Sequence, residues 1–373
     1  MPQAVLHLCH SYSPPFLDCA RQYARLFRDT PYKVVTVYLT GAPDEEVRRG
    51  SVSNEVIFLD YRSADIRGLK LKAIRDVRRI AAARDFAFCV AHRFKSMYTA
   101  LLGTNLPVIG IHHGFGDYRR LSRRLFAHVF KKRLRLLGVS NAMRDDIRAS
   151  LPAWPASHIE TLYNRIDVDA VKAAQFPREV ARAALGLPPQ GWLVGNVGRL
   201  HPDKDQATLI RAFAAALPEL PPGSLLAIMG SGRLENELKA LADESGLRES
   251  VRFLGQVTEG LRYFKAFDVF ALSSDHEPFG MVLLEALAAG LPVVCSDCGG
   301  GAEVAAEVGD LFPFGDVGAL AQCLIRHAKH CASEDNARRR EEHLRRRFSD
   351  EAAAETFWQL PMLAGLTRNT PQC

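Results

Sequence analysis

Residues 275–301 read DHEPFGMVLLEALAAGLPVVCSDCGGG, with two carboxylates, Glu277 and Glu285, eight positions apart. The first stands in a polar turn bearing proline and glycine, the residues that most often interrupt regular structure. The second stands inside a helical pattern, and a short apolar run at 292–295 then reads as a buried strand before the glycine triplet. A helix starting near Gly280 puts Glu285 in its second turn, roughly 7 Å along the axis, and leaves Glu277 in the entry loop. The backbone N–H groups of Phe279, Gly280 and Met281 then form the first turn, where unpaired donors and the positive dipole end favour an anion such as phosphate. Taken singly, each acid also fits a plainer use: one before a helix compensates its dipole, and one within a helix is solvated surface.

Outward from this stretch, apolar runs of strand length alternate with helical patterns. Upstream, 192–197 is a strand running into Gly198-Arg199-Leu200, followed by a helix at 208–217. A strand at 225–229 turns at Gly230-Ser231-Gly232 into a helix at 234–245, and further strands fall at 251–254, 269–272 and 293–295. The first half repeats the rhythm, with strands at 4–9, 33–39, 56–59, 86–91, 108–111 and 134–139 and helices at 18–28 and 65–83. Such alternation predicts an α/β protein with two doubly wound parallel sheets in series. Ligands of open parallel sheets bind beyond the strand C-termini, so both domains are expected to aim their loops into a cleft. The expected divisions are a first domain at 1–168, a linker at 169–189, a second domain at 190–349, and a C-terminal helix and tail at 350–373.

A chain of 373 residues suits two ordinary domains. No run of 18 apolar residues occurs and the N-terminus lacks a basic, cleavable leader, which predicts a cytoplasmic protein without a membrane span. The eight cysteines include several in apparent strands, as expected in a reducing compartment. Cys295 and Cys298 make a lone Cys-x-x-Cys, without the further ligands a zinc site needs and at the end of a strand, where a thioredoxin motif would open a helix. The net charge of +6 is uneven: residues 1–170 hold 27 Lys/Arg against 16 Asp/Glu, and the remainder is acidic. The first half therefore has an electrostatic reason to sit on something anionic. Residues 119–135, RRLSRRLFAHVFKKRLR, run from Arg119 to Arg135 with Leu121, Leu125, Phe126 and Val129 among the basic side chains. A stretch of this kind lies on anionic lipid headgroups or forms a domain helix with a solvated basic face. No nucleic-acid motif accompanies it. The charged run at 338–347 reads as a solvated helix.

Glu-x7-Glu followed by Ala-x-x-x-Gly-x-Pro-Val-Val, a glycine pair and Glu303 resembles the donor-site signature of the retaining glycosyltransferases of family 4, which have the GT-B fold. Residues 198–205, GRLHPDKD, resemble the same family's Gly-Arg-Leu-x-x-x-Lys motif. The resemblance is strong over 192–330 and weak over 1–165, and is nearest to bacterial lipopolysaccharide-core transferases. It implies two Rossmann-like domains facing a cleft, with the last helix crossing back to the first. It implies that Arg199 and Lys204 compensate the departing diphosphate, a role that a forked guanidinium and an ammonium fill without metal or other cofactor. Glu285 would accept hydrogen bonds from the ribose, and Glu277 would lie near the transferred sugar without acting as covalent nucleophile. Gly232 and the backbone at Leu254 would border the donor.

On the acceptor side, His112 or His113, closing a strand, matches a family histidine near the sugar. Arg93 and Lys95, with His92, end the preceding strand and could meet an anionic acceptor. Two departures stand out. Arg165 occupies a turn position where the family has glycine, and the loop from His10 to Asp18 lacks the family's glycine pair, which leaves Asp18 only a polar candidate. The expectation is a retaining glycosyltransferase that passes a sugar from a nucleotide diphosphate to a membrane-associated glycan or lipid in lipopolysaccharide core biosynthesis. A nucleotide-sugar 2-epimerase and a non-catalytic nucleotide-sugar or lipid-binding protein are the rival readings.

Overall fold

The computed structural model describes residues 3–13, 16–330 and 333–363. The chain divides into two compact units, one comprising 1–164 with 350–373 and the other 165–349.

In the first unit, β1 (Ala4–Cys9), β2 (Lys33–Thr40), β3 (Glu55–Tyr61), β4 (Phe86–His92), β5 (Val108–His112), β6 (Leu134–Gly138) and β7 (Ile159–Thr161) form one sheet. Its order is β3-β2-β1-β4-β5-β6-β7, with every neighbouring pair parallel. β1, β4 and β5 are buried almost throughout, as strands covered on both faces must be. The order reverses direction between β1 and β4, the point at which such sheets open a crevice at their C-terminal edge.

The second unit repeats the plan with β8 (Leu193–Val197), β9 (Leu225–Met229), β10 (Val251–Gly255), β11 (Val269–Leu272), β12 (Val293–Ser296) and β13 (Asp310–Phe312) in the order β10-β9-β8-β11-β12-β13. All of these pairs are parallel, and the reversal falls between β8 and β11. Two Rossmann-like sheets in series are therefore present, as the alternation of patterns implies.

Three expectations need correction. The helix read at 65–83 begins only at Leu71, because Gly68 and Lys70 both take left-handed backbone, with φ of 58° and 54°. Residues 169–189 are not a linker: helices Val168–Ala174 and Arg178–Ala184 occupy most of them. The second is fixed in its unit by Arg182, 1 % exposed, which donates to the Ala266 carbonyl and pairs with Asp268 at 3.0 Å. The stretch 119–135 is not one helix, since only Leu121–Val129 is helical and Leu134 starts β6.

Helix Asp350–Gln359 belongs to the first unit, where Asp350 pairs with Arg21 at 3.0 Å and Arg25 at 2.5 Å. The Trp358 indole donates to the Leu26 carbonyl and stacks on Tyr32. The end of the expected tail, 364–373, lies outside the described residues.

Candidate active site

The second unit gathers its charged groups at the reversal between β8 and β11. After β8 the chain runs through Gly198–Leu200 into a short turn, Pro202–Lys204, and Asp205 then takes left-handed backbone with φ of 41°. Asp205 caps helix Gln206–Ala216 by accepting from the Thr208 N–H. After β11 come Ser273 and Ser274, both buried, and then Glu277, 7 % exposed. The Ser273 hydroxyl contacts the carbonyls of Lys204 and Asp205, tying the two strand ends together. Across that tie the Lys204 ammonium donates to Oε2 of Glu277 at 2.6 Å, and Ser274 donates to the same oxygen at 3.3 Å. The structure thus joins two residues that stand 73 positions apart in sequence.

The glycine triplet explains how Glu277 is held. The Gly300 N–H donates to the Glu277 carbonyl at 2.8 Å, and a Cβ on Gly300 would collide with the Pro278 carbonyl. Only bare backbone fits so close. Gly280 has φ of 94° and is the cap of helix Met281–Ala288. Phe279 and Gly280 therefore do not form a first helical turn, which starts at Met281. The Phe279 side chain is 2 % exposed and packs edge-on against Phe348. Glu285 is half-buried on that helix, and its backbone carbonyl accepts from Gln175.

Arg199 is 70 % exposed and held by Asp203 at 3.2 Å, so its guanidinium can swing towards a ligand. Gly232 lies exposed beyond β9, its backbone hard against Leu200, while Leu254 is half-buried near the end of β10. Sequence reading missed Ser273, Ser274 and Ser296, whose hydroxyl donates to the Ser274 carbonyl at 2.5 Å. Hydroxyls clustered at strand ends were the available signal.

In the first unit the histidine pair separates into two environments. His112 is wholly buried, with Nδ1 on Asp117 at 2.8 Å and Nε2 on the Tyr118 hydroxyl at 3.1 Å. Both nitrogens are committed, so His112 serves the fold. Burial works against a charged Asp117, but the His112 hydrogen bond and the Arg123 guanidinium hold its carboxyl below the usual range. His113 is half-buried and stacks on His92, with Nε2 at 3.0 Å from His92 Nδ1. Burial, aided by His112 and Arg93, lowers its pKa to about 3, which keeps the ring neutral. Arg93 and Lys95 are exposed at the end of β4, and Arg93 covers the ring of Phe16. Asp18 is occupied by its own helix, accepting from Arg21 at 2.9 Å and Gln22 at 2.7 Å. Pro14 and Pro15 of the preceding loop lie outside the described residues. Arg165 is fully buried and is not among the residues with positive φ, so the turn does without glycine there. No helix among the described residues is long and apolar enough to cross a membrane.

Two family models match the chain in tandem, Glycosyltransferase Family 4 over residues 18–170 and Glycosyl transferases group 1 over 177–342. A D-inositol 3-phosphate glycosyltransferase of Mycobacterium sp. (strain KMS) is 39% identical over 171 residues, 43% of this chain and 37% of the relative. The lipopolysaccharide core biosynthesis glycosyltransferase LpsD of Rhizobium meliloti (strain 1021) is 33% identical over 213 residues, 55% of this chain and 60% of the relative. In both cases the chain matches less than two thirds of the relative's length. Among solved structures, a glycosyltransferase from Rickettsia africae ESF-5 superposes with a TM-score of 0.82 at 14% identity, covering 98% of this chain and 99% of that one. Anabaena HepE in complex with UDP-glucose gives 0.74 at 21% identity, covering 95% and 97%. With two Rossmann-like sheets and these two models in succession, the chain belongs to the GT-B glycosyltransferases, joining a family 4 first domain to a group 1 second domain.

Proposed function

We propose that this protein is a retaining, metal-independent glycosyltransferase that moves a sugar from a nucleotide diphosphate to a glycan or lipid acceptor at the inner face of the cytoplasmic membrane, in lipopolysaccharide core assembly. The observation that carries the reading is the Lys204–Glu277 pair at the reversal point of the second sheet, beside an exposed Arg199. A sugar leaving a diphosphate places negative charge on the phosphate and positive charge on the anomeric carbon. Lys204 and Arg199 stabilise the first, and the Glu277 carboxylate stabilises the second or holds the sugar hydroxyls. When a diphosphate binds, Lys204 shares its protons between phosphate and Glu277, so the pair keeps both groups placed before the donor arrives. Glu285 takes the ribose hydroxyls. The departing phosphate oxygen accepts the acceptor's proton on the same face, which retains configuration with no covalent enzyme intermediate and leaves the compensating charge to the two basic residues.

The membrane part of the reading rests on helix Leu121–Val129. Leu121, Leu125 and Val129, four residues apart, are 60%, 59% and 75% exposed, with Arg120 and Arg124 exposed alongside.

The test is a thermal-shift screen against UDP, GDP, ADP, CMP and their sugar conjugates without added metal. UDP comes first, because Anabaena HepE was solved as a complex with UDP-glucose. A ligand at 100 times its Kd adds about 2.7 kcal/mol of stability. A shift with one diphosphate that disappears in Glu285→Ala supports the reading, and no shift with any nucleotide overturns it. Isomerised donor sugar in the absence of any acceptor would instead identify an epimerase.

A further inference from the structure

His7 and Cys9 alternate along β1 and so leave the same face of the sheet. The register that sets Leu8 beside Ala91 brings His92, the last residue of β4, alongside Cys9 on that face. The three side chains thus meet at the reversal point of the first sheet. All are buried, at 1 %, 3 % and 4 % exposure. His7 Nε2 is 2.8 Å from His92 Nε2 and 3.5 Å from Cys9 Sγ, and the three atoms lie within 4.8 Å of one another.

The surrounding hydrogen bonds fix what these atoms offer. The Ser53 hydroxyl donates to the Ser51 carbonyl at 3.0 Å, so the Thr36 hydroxyl, 2.7 Å away, donates to Ser53. The Thr36 oxygen is then the acceptor for His7 Nδ1–H at 3.0 Å. His7 consequently turns a bare Nε2 lone pair towards His92 and Cys9, and two donors, an imidazole N–H and a thiol, converge on that one lone pair. A cation that takes the lone pairs of both rings and the thiolate resolves the excess of protons.

We propose that His7 Nε2, His92 Nε2 and Cys9 Sγ bind a divalent ion of the zinc class, at a site distinct from the donor site of the second unit. Two imidazoles and a thiolate are a borderline-soft set that suits zinc or cobalt and not magnesium or calcium. Tetrahedral bonds of zinc to nitrogen and sulfur place nitrogen and sulfur roughly 3.5 Å apart and two nitrogens roughly 3.4 Å apart. The 3.5 Å between His7 Nε2 and Cys9 Sγ already meets the first spacing, and the two rings, 2.8 Å apart, need to part by about half an ångström. The second coordination shell is also in place: Thr36 holds Nδ1 of His7, and His113 Nε2 faces Nδ1 of His92. Binding releases one proton, from the thiol. His92 then carries its hydrogen on Nδ1 and donates to His113, whose own hydrogen moves to Nδ1, so the metal sets the tautomer of the half-buried histidine.

Cobalt(II) titration of the purified full-length protein, after treatment with a chelator, tests this by absorbance and leaves the donor-site reading untouched. The expected result is one equivalent of tightly bound cobalt with tetrahedral visible bands and a near-ultraviolet thiolate charge-transfer band, displaced by zinc. Cys9→Ser loses the charge-transfer band, His7→Gln loses the visible bands, and Thr36→Val weakens binding by roughly 10- to 100-fold. Cys295→Ser with Cys298→Ser leaves the spectrum unchanged. Circular dichroism melts confirm that each variant is folded. Folded protein with no tetrahedral cobalt spectrum, or a thiolate band that survives in folded Cys9→Ser, overturns the proposal.

Discussion

The Lys204 ammonium and the Glu277 carboxylate, from two strand ends of the second sheet, meet at 2.6 Å with 17% and 10% of their side chains exposed. Removing one member of so shielded a pair strands the other charge. Lys204→Met is therefore expected to cost about 3 kcal/mol in urea unfolding, the low end for buried pairs because Lys204 keeps some solvent contact. Lys204→Met with Glu277→Gln should recover most of that stability while leaving transfer activity abolished. A double variant as unstable as the single one would show that the pair does not hold the loop.

In the proposed reading Lys204 and Arg199 hold the diphosphate and not the nucleoside. Arg199→Ala should weaken binding of a nucleoside diphosphate by about 1.5 to 3 kcal/mol, the range for hydrogen bonds to charged groups, and leave nucleoside binding unchanged. Because Arg199 is 70 % exposed and its pairing with Asp203 lies at the surface, its loss should barely move the melting temperature. Calorimetry with both ligands checks this, and equal losses would contradict the assignment.

Gly300 supports the Glu277 loop through its N–H, which donates to the Glu277 carbonyl at 2.8 Å. Gly300→Ala sets a methyl group against the Pro278 carbonyl and the Phe279 backbone, which cannot retreat as a flexible side chain would. The expected result is a loss of about 2 kcal/mol in stability and at least a roughly tenfold fall in kcat from displacement of the Glu277 loop. Side-by-side melting and initial-rate measurements decide it, and unchanged kinetics would separate the triplet from the site.

Much of this arrangement is written locally in the sequence. Strand runs such as 225–229 and 269–272 are continuous and apolar, and their alternation with helices announces parallel sheets. What periodicity cannot supply is partnership between distant residues. Nothing near Asp350 indicates that it pairs with Arg21 and Arg25, and nothing near His112 says that Asp117 and Tyr118 use up both its nitrogens, leaving His113 the more open ring. The helix start at 71 was hidden for another reason: the apolar spacing runs on through 65–70, and the left-handed backbone at Lys70 overrides it. His7 was legible only as a polar residue in a buried strand, and its neighbours emerge once β4 is set beside β1.

Asp117 links the fold of the first unit to pH. Its carboxyl titrates below its ordinary value of 3.8 when folded, so its contribution is fully present above that value and is lost as the pH falls through the lower folded value. Asp117→Asn should cost about 1.5 to 3 kcal/mol at pH 7 and flatten the loss of stability below about pH 4. Urea unfolding between pH 7 and 3 reads both effects, and a parallel acid limb in the variant would remove Asp117 from the account.

The exposed face of helix Leu121–Val129 supplies the last expectation. Phe126 turns inward to stack on Tyr98, whereas Leu121, Leu125 and Val129 face solvent. Arg133 is not available to lipid, because its guanidinium donates to the Thr104 and Leu106 carbonyls, and Arg123 is paired with Asp117. Arg120 and Arg124 are the exposed charges on this helix, each worth about 1 kcal/mol at an anionic surface. Arg120→Ala with Arg124→Ala should weaken sedimentation with phosphatidylglycerol vesicles by roughly 30-fold and leave neutral vesicles unaffected. Leu125→Glu with Val129→Glu should abolish binding to both, since it removes the apolar contact and adds repulsion. Wild-type protein that binds neutral and anionic vesicles equally, or binds neither, would take the membrane surface out of the acceptor reading and leave transfer to a soluble glycan.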